Sequence, residues 1–163
     1  GPIFWIPILD ISWNVILLVK LSKLFDMKVL VCLHPKNYSV RNYFNNFEIS
    51  NKPTIDTIPS SEIIVFSLSS AVLAGVMYKK KILNIKSNFL GDYLGNISVK
   101  YVNSLNFLSH NIDDEFLLSK EDCLKKMKTS LKSYDTFISK RLNCDGNNIS
   151  TKKIIEKIKE NFF

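Results

Sequence analysis

The sequence predicts an α/β domain with a mainly parallel sheet flanked by helices, and three observations carry that reading. The runs Met27 to Leu33 and Glu62 to Phe66 are nearly continuous apolar, β-branched stretches, the composition of strands buried on both faces. Segments with helical periodicity stand beside them. The links between are short, as right-handed strand-helix-strand crossovers require.

Taken in order, Ile3 to Ile8 reads as a buried strand. Trp13 to Phe25 follows as a helix, with Val15, Leu18, Val19, Leu21 and Leu24 apolar and Lys20 and Lys23 between them. Met27 to Leu33 is the next strand and stops at His34-Pro35. Phe47 to Ser50 is a short strand, and Pro53 to Pro59 a short helix or turn. The strand Glu62 to Phe66 leads straight into Ser67-Leu68-Ser69-Ser70. A helix from Ala71 to Tyr78 comes next, with Ser69 or Ser70 as its cap and Gly75 allowing a close approach to the sheet. Lys79-Lys80-Lys81 suits the negative end of that helix, and Ile82 to Ile85 is the strand beyond. Ile97 to Val102 and Asn106 to Ser109 are expected as further strands. Ser119 to Ser133 is a charged helix that opens on Glu121 and Asp122 and runs on towards Leu142. A loop at 143–148 precedes a last helix, Thr151 to Phe162. The expected division is therefore 3–142 as the body and 143–163 as a loop and C-terminal helix packed on it or on an N-terminal domain.

At 163 residues the chain is one domain's worth, and its 46% hydrophobic and 23% charged residues exclude a disordered or fibrous chain. Of the net charge of +7, eleven cations and six acids fall in 120–163, so +5 belongs to the last quarter and the body is nearly neutral. Cys32, Cys123 and Cys144 form neither a disulfide framework nor a zinc-ligand spacing, which points to a reducing compartment. The apolar run Ile3 to Val19 is interrupted by Pro7, Asp10, Ser12 and Asn14, too often for a membrane span, and it lacks the basic start and cleavage site of a signal peptide. Gly1-Pro2 reads as the scar of tag removal, so the sequence is expected to be a piece of a longer protein.

In an open parallel sheet, ligands bind beyond the carboxyl ends of the strands. Two clusters are expected there: His34-Pro35-Lys36 after one apolar strand, and Ser67, Ser69 and Ser70 after the other. Hydroxyls and backbone N–H groups at a helix start, beside a His and a Lys, suit a phosphate or diphosphate. The plainer alternatives are ordinary capping for Ser69 and Ser70, a surface strand end for His34 and a solvated Lys36.

A buried strand ending in His-Pro, followed about thirty residues later by a strand leading into Ser-Ser at a helix start, resembles the C-terminal half of GT-B glycosyltransferases, which consist of two Rossmann domains. More closely, the pair is similar to the HP and SS motifs of bacterial sialyltransferases and polysialyltransferases and of related capsule transferases. The resemblance covers about Ile3 to Ile85. It implies a Rossmann-like domain with His34, Ser69 and Ser70 on the phosphate of a cytidine nucleotide, Ser67 and Lys36 as further phosphate contacts, and His34 as the catalytic residue. It further implies a nucleotide-sugar donor, a glycan acceptor, no metal, and a general base carried by the N-terminal domain of the parent protein. The expected setting is cytoplasmic, at surface-polysaccharide synthesis.

Many retaining GT-B enzymes hold the donor ribose with a carboxylate in the helix after the phosphate site. The segment from Ser69 to Tyr78 contains no Asp or Glu, which favours a CMP-linked donor over UDP- or GDP-hexose. Asp113-Asp114-Glu115 is expected to be a solvated loop or helix start, and Asp56 and Glu62 structural. The basic residues from Lys125 to Lys159 suit either a solvated helix face or peripheral contact with an anionic inner membrane. Two other classes stay open: nucleic-acid binding, prompted by the pI of 9.3, and a non-catalytic α/β interaction domain.

Overall fold

The computed structural model describes residues 1–5, 11–33, 35–88, 100, 102–115 and 118–139. Six strands form one sheet: β1 (Ile3–Trp5), β2 (Val29–Val31), β3 (Glu48–Ile49), β4 (Ile63–Phe66), β5 (Lys81–Lys86) and β6 (Leu108–Asn111). They lie in the order β3-β2-β1-β4-β5-β6, and every neighbouring pair is parallel. That is the doubly wound, Rossmann-like arrangement, in which the direction of winding reverses between β1 and β4. The predicted fold class is the one observed; β2 and β4 are shorter than the runs Met27 to Leu33 and Glu62 to Phe66 that announced them, and β5 extends one residue beyond Ile82 to Ile85 at each end.

The faces of the sheet follow from the two-residue period of a strand. Ile63 and Val65 of β4, with Leu83 and Ile85 of β5, pack with α1 (Ile11–Phe25) through Leu17, Leu18, Leu21 and Phe25. Ile64, Phe66 and Ile82 point to the other face and pack with α3 (Val72–Met77) through Val72 and Val76. The short helix α2 (Thr54–Thr57) and the 3-10 turn Ile58–Ser60 lie on this second face, where Ile58 is fully buried. Gly75 is where α3 meets the sheet: a Cβ there would stand 2.5 Å from Ile64 Cδ1.

Three helix-to-strand links use the same device. Asp26, Lys79 and Asn106 each adopt a left-handed backbone, with φ of 53°, 51° and 53°. Around each, the following amide closes back on a carbonyl one turn earlier: Met27 N–H on Ser22 O, Lys80 N–H on Gly75 O, and Phe107 N–H on Val102 O. This is the Schellman cap, normally built on glycine. Each ends a helix and delivers the chain to β2, β5 or β6 within a few residues.

All three caps lie at the amino edge of the sheet, and α4 (Lys120–Phe137) runs across them. Lys120 Nζ donates to Phe25 O at 3.0 Å, Ser133 Oγ to Leu105 O at 2.8 Å, Ser130 Oγ to Asn106 O at 2.5 Å, and Tyr134 OH to Lys80 O at 3.1 Å. Helix ends leave carbonyls without intrahelical partners, and α4 supplies donors to them. It therefore passes from one face to the other: Cys123 and Met127 join the α1 side, while Leu131 and Tyr134 join the α3 side, where Tyr134 and Phe66 both stack edge-on against Phe107. Ser119 starts α4 as predicted, its hydroxyl accepting from Asp122 N–H at 3.1 Å.

Other expectations fare differently. Residues 100 and 102–105 are helical, so the expected strand from Ile97 does not reach Val102; residues 89–99 lie outside the described residues. The segment Pro35–Phe44, left without structure by sequence reasoning, is a ten-residue 3-10 helix. The expected helix from Thr151, and Cys144, lie outside the described residues, as do 6–10 of the first strand. Glu62 is structural as expected, bonded to Lys81 Nζ at 2.8 Å and to the amino group of Gly1 at 3.2 Å, which together hold its carboxyl below the usual range. Cys32 and Cys123 are free and buried.

Lys79→Gly should stabilise the protein by about 0.5–1 kcal/mol, because a left-handed residue bearing a Cβ costs roughly 1–2 kcal/mol and the extra unfolded-state freedom of glycine returns only part of that. The ion pair lost with Asp135 (2.9 Å) joins two exposed side chains and offsets little. A denaturant midpoint no higher than that of the parent protein contradicts this account of the cap.

Candidate functional site

In an open α/β sheet the carboxyl edge, at the reversal point between β1 and β4, is the position offered to a ligand. The turn that leaves β4, Ser67 to Ser70, begins there. The carboxyl end of β2 runs through Cys32 and Leu33 towards residue 34 on the far side of β1. Strands stand about 4.8 Å apart, so the carboxyl ends of β2 and β4, which flank β1, lie about 10 Å from one another.

The turn after β4 is built from overlapping short turns. Val72 N–H donates to Ser69 O at 3.2 Å, Leu73 N–H to Ser70 O at 3.0 Å, and Ala74 N–H to Ala71 O at 3.1 Å. Ala71, not Ser69 or Ser70, takes the cap position of α3, and no side chain caps the helix. The predicted capping is thus corrected: Ser69 Oγ accepts from Ala71 N–H at 3.2 Å, a local serine turn one step before the helix. Ser69 is half-buried, Ser70 exposed, and Ser67 buried at 4% exposure. His34 lies outside the described residues. Lys36 belongs to the 3-10 helix Pro35–Phe44 by its backbone, and its side chain lies outside the description.

The approach to residue 34 is fixed from the α2 side. Cys32 is buried with Ser50 and Thr57 as hydrogen-bond partners, and burial pushes its thiol above the ordinary range. Ser50 Oγ and Thr57 Oγ1 lie 3.1 Å apart, and Thr57 Oγ1 donates to Pro53 O at 3.1 Å. A thiol held protonated in this way is a packing group rather than a nucleophile.

Sequence reasoning missed the polar residues on β5 and β6. Asn84 is fully buried; its Nδ2 donates to Ser67 O at 3.3 Å and, at 3.5 Å, to Phe66 O, while its Oδ1 accepts from Ser109 Oγ at 2.9 Å. The signal was present, since an Asn in the middle of Lys81-Ile-Leu-Asn-Ile-Lys86 interrupts a buried strand, and buried amides are kept only where they are bonded. His110 alternates with Ser109 and so leans to the α1 face, with Asp114 and Lys20 nearby. Burial sets its imidazole below the usual range; Lys20 acts in the same direction and Asp114 against it.

The acidic run is an exposed loop, as expected, and Asp113 within it also performs a structural task. Asp113 Oδ2 accepts from Asn88 N–H at 2.8 Å, Asn111 Nδ2 donates to Asn88 Oδ1 at 3.1 Å, and Asp113 N–H returns to Asn111 Oδ1 at 3.2 Å. These bonds tie the carboxyl end of β5 to that of β6. Among the described residues no group of three or more His, Cys, Asp and Glu converges as a metal site. Two clefts lie away from the carboxyl edge: one of about 630 Å³ at the amino edge, bordered by Asp26, Lys28, Glu48 and Glu62, and one of about 330 Å³ beside β6, bordered by Ser109, Lys126 and Thr129.

Compared with known proteins, the chain matches no protein-family model, and no curated protein sequence matches it.

His110 yields a pH prediction. Its folded-state value lies below that of the free imidazole, so the unfolded chain takes up a proton first and stability falls as pH drops below about 6.5, levelling once the folded form also protonates. Urea midpoints measured from pH 8 to 5 should show this decline. In His110→Gln the decline should be smaller, and an identical profile for both proteins refutes the assignment.

Proposed function

We propose that the chain is the nucleotide-sugar-binding half of a glycosyltransferase, with a CMP-linked sugar as donor, acting in bacterial surface-polysaccharide synthesis. One observation carries the reading: the fully parallel order β3-β2-β1-β4-β5-β6 sends the Ser67–Ser70 turn and the chain towards His34 out of the same sheet edge, on either side of the reversal point. The pairing of a strand ending in His-Pro with one leading into Ser-Ser, similar to the HP and SS motifs of sialyltransferases, supplies the donor class.

In the proposed reaction the acceptor hydroxyl oxygen bonds to the anomeric carbon, and the bond from that carbon to the phosphate oxygen breaks with its electron pair going to the phosphate. Negative charge grows on that oxygen. His34, as imidazolium or as general acid, and the hydroxyl of Ser70 with the backbone N–H groups of the turn are suited to stabilise it, an electrostatic contribution of about 3–4 kcal/mol for a well-placed donor. Ser69, Ser67 and Lys36 complete the proposed phosphate contacts, and the base that deprotonates the acceptor belongs to the N-terminal domain of the parent protein. Ser69 has its oxygen engaged by Ala71 N–H and Ser67 is buried, so Ser70 is the serine best able to reach a ligand.

No described helix is long and apolar enough to cross a membrane. Lys125, Lys126, Lys128 and Lys132 are exposed on α4, which supports peripheral contact with anionic lipid, the polar face turned away from the sheet. The nucleic-acid alternative gains little from the fold. Phe25, Phe44, Phe66 and Tyr134 are buried, and of the described aromatic residues only Tyr43 and Tyr78 stand out as well exposed, on different segments.

The test is a titration of the isotope-labelled chain with CMP, CDP and UDP. CMP should shift the amide resonances of Ser67 to Leu73, and His34→Ala or Ser70→Ala should weaken binding about tenfold, the size of a hydrogen bond to a charged group. Silence towards all three nucleotides at millimolar concentration overturns the donor reading. A salt-dependent response to an arbitrary oligonucleotide favours the nucleic-acid alternative instead.

A further inference from the structure

The Asn84–Ser109 pair has a geometry beyond what packing demands. Asn84 sits opposite Phe66 in the β4–β5 register, yet its amide bonds to two successive carbonyls, the last of β4 and the first of the turn. In an undisturbed strand successive carbonyls point to opposite neighbours. Here both point to Nδ2 of one side chain, so the strand is turned out of its ladder at Ser67. The described chain contains no cis peptide, and a trans peptide directs its N–H opposite to its C=O. With Ser67 O aimed at Asn84, the N–H of Leu68 is directed away from β5, and β1 and the reversal point lie on that other side of β4.

Ser109 fixes which way the amide group of Asn84 faces. Its hydroxyl donates to Oδ1 at 2.9 Å, so the oxygen is held on the β6 side and the NH₂ on the β4 side. A flipped amide would set its oxygen against two carbonyls. The chain of bonds runs across three adjacent strands, from β6 through β5 to the turn after β4, and its central member is fully buried.

We propose that Asn84 is a positioning residue, oriented by Ser109, which sets the peptide planes of the Ser67–Leu68 turn and so presents Leu68 N–H and the serines behind it to a phosphate-bearing donor. The proposal rests on the donor reading above for its ligand, but the relay itself exists without one. It assigns to β6, an edge strand of the described sheet, a part in binding at a site two strands away.

The test uses the whole chain in three forms: the parent protein, Ser109→Ala and Ser109→Thr, with Asn84→Asp as a fourth that keeps the shape but replaces the donor by an acceptor. In ligand-free spectra, Ser109→Ala should shift the Asn84 side-chain NH₂ resonances and the amides of Ser67 to Ser70, while those of Leu18 and Leu21 stay in place. CMP binding should weaken about tenfold in Ser109→Ala, recover in Ser109→Thr, and weaken further in Asn84→Asp. Unchanged Ser67–Ser70 amides in Ser109→Ala overturn the relay, as does parental CMP affinity in that variant. If the parent protein itself ignores CMP, the donor reading fails, and the ligand-free spectra alone decide whether the relay orients the turn.

Discussion

Backbone carbonyls at the amino edge of the sheet are the constraint on which the rest of this structure depends. Each parallel crossover must end a helix and start a strand there, and each helix end leaves carbonyls that would otherwise be buried without partners. Asp26, Lys79 and Asn106 turn the chain through left-handed conformations, and α4 then lies over the result, giving hydrogen bonds to Phe25 O, Leu105 O, Asn106 O and Lys80 O. A helix on one face of the sheet could not reach all four. Crossing the edge costs α4 a regular place in either layer, and the cost is offset by burying Cys123 and Met127 on one side and Tyr134 on the other.

This arrangement separates tasks by edge. The amino edge carries the satisfied caps and the lysine-rich outer face of α4; the carboxyl edge carries the turn after β4, the chain towards residue 34, and the Asn88–Asp113 tie. In the proposed setting, a membrane drawn to the α4 lysines would face the amino edge, with the donor crevice opening away from the lipid.

Much of the architecture was legible in the sequence because parallel strands buried on both faces leave a composition that nothing solvated imitates: Ile63-Ile64-Val65-Phe66 is buried at every position. The strand-to-serine link was legible for the same reason, since an apolar run that stops abruptly marks a sheet edge. What escaped depends on partners far away in the sequence. The helix start moved past Ser69 because the serine hydroxyl engages Ala71 N–H, which no local preference for serine caps foretells. Lys79 carries no signal of a left-handed turn, since glycine, asparagine and aspartate are the residues that announce one. Asn84 was visible as an anomaly in an apolar strand, but its meaning required Ser109, twenty-five residues on, and the two carbonyls beyond β4.

One short strand has a wide reach. β1, three residues long, pairs Ile3 with Val29 on one side and with Ile63 on the other. The described sheet thus consists of two halves, β1-β2-β3 and β4-β5-β6, joined along one seam whose partners stand sixty residues apart in the chain. Closing so long a loop costs more conformational entropy than forming the local contacts within each half. The reversal point lies on that seam, so a molecule gripped there by both halves would bind only to the joined form and hold it together by mass action. Assembly of the domain and occupation of that point would then be a single equilibrium.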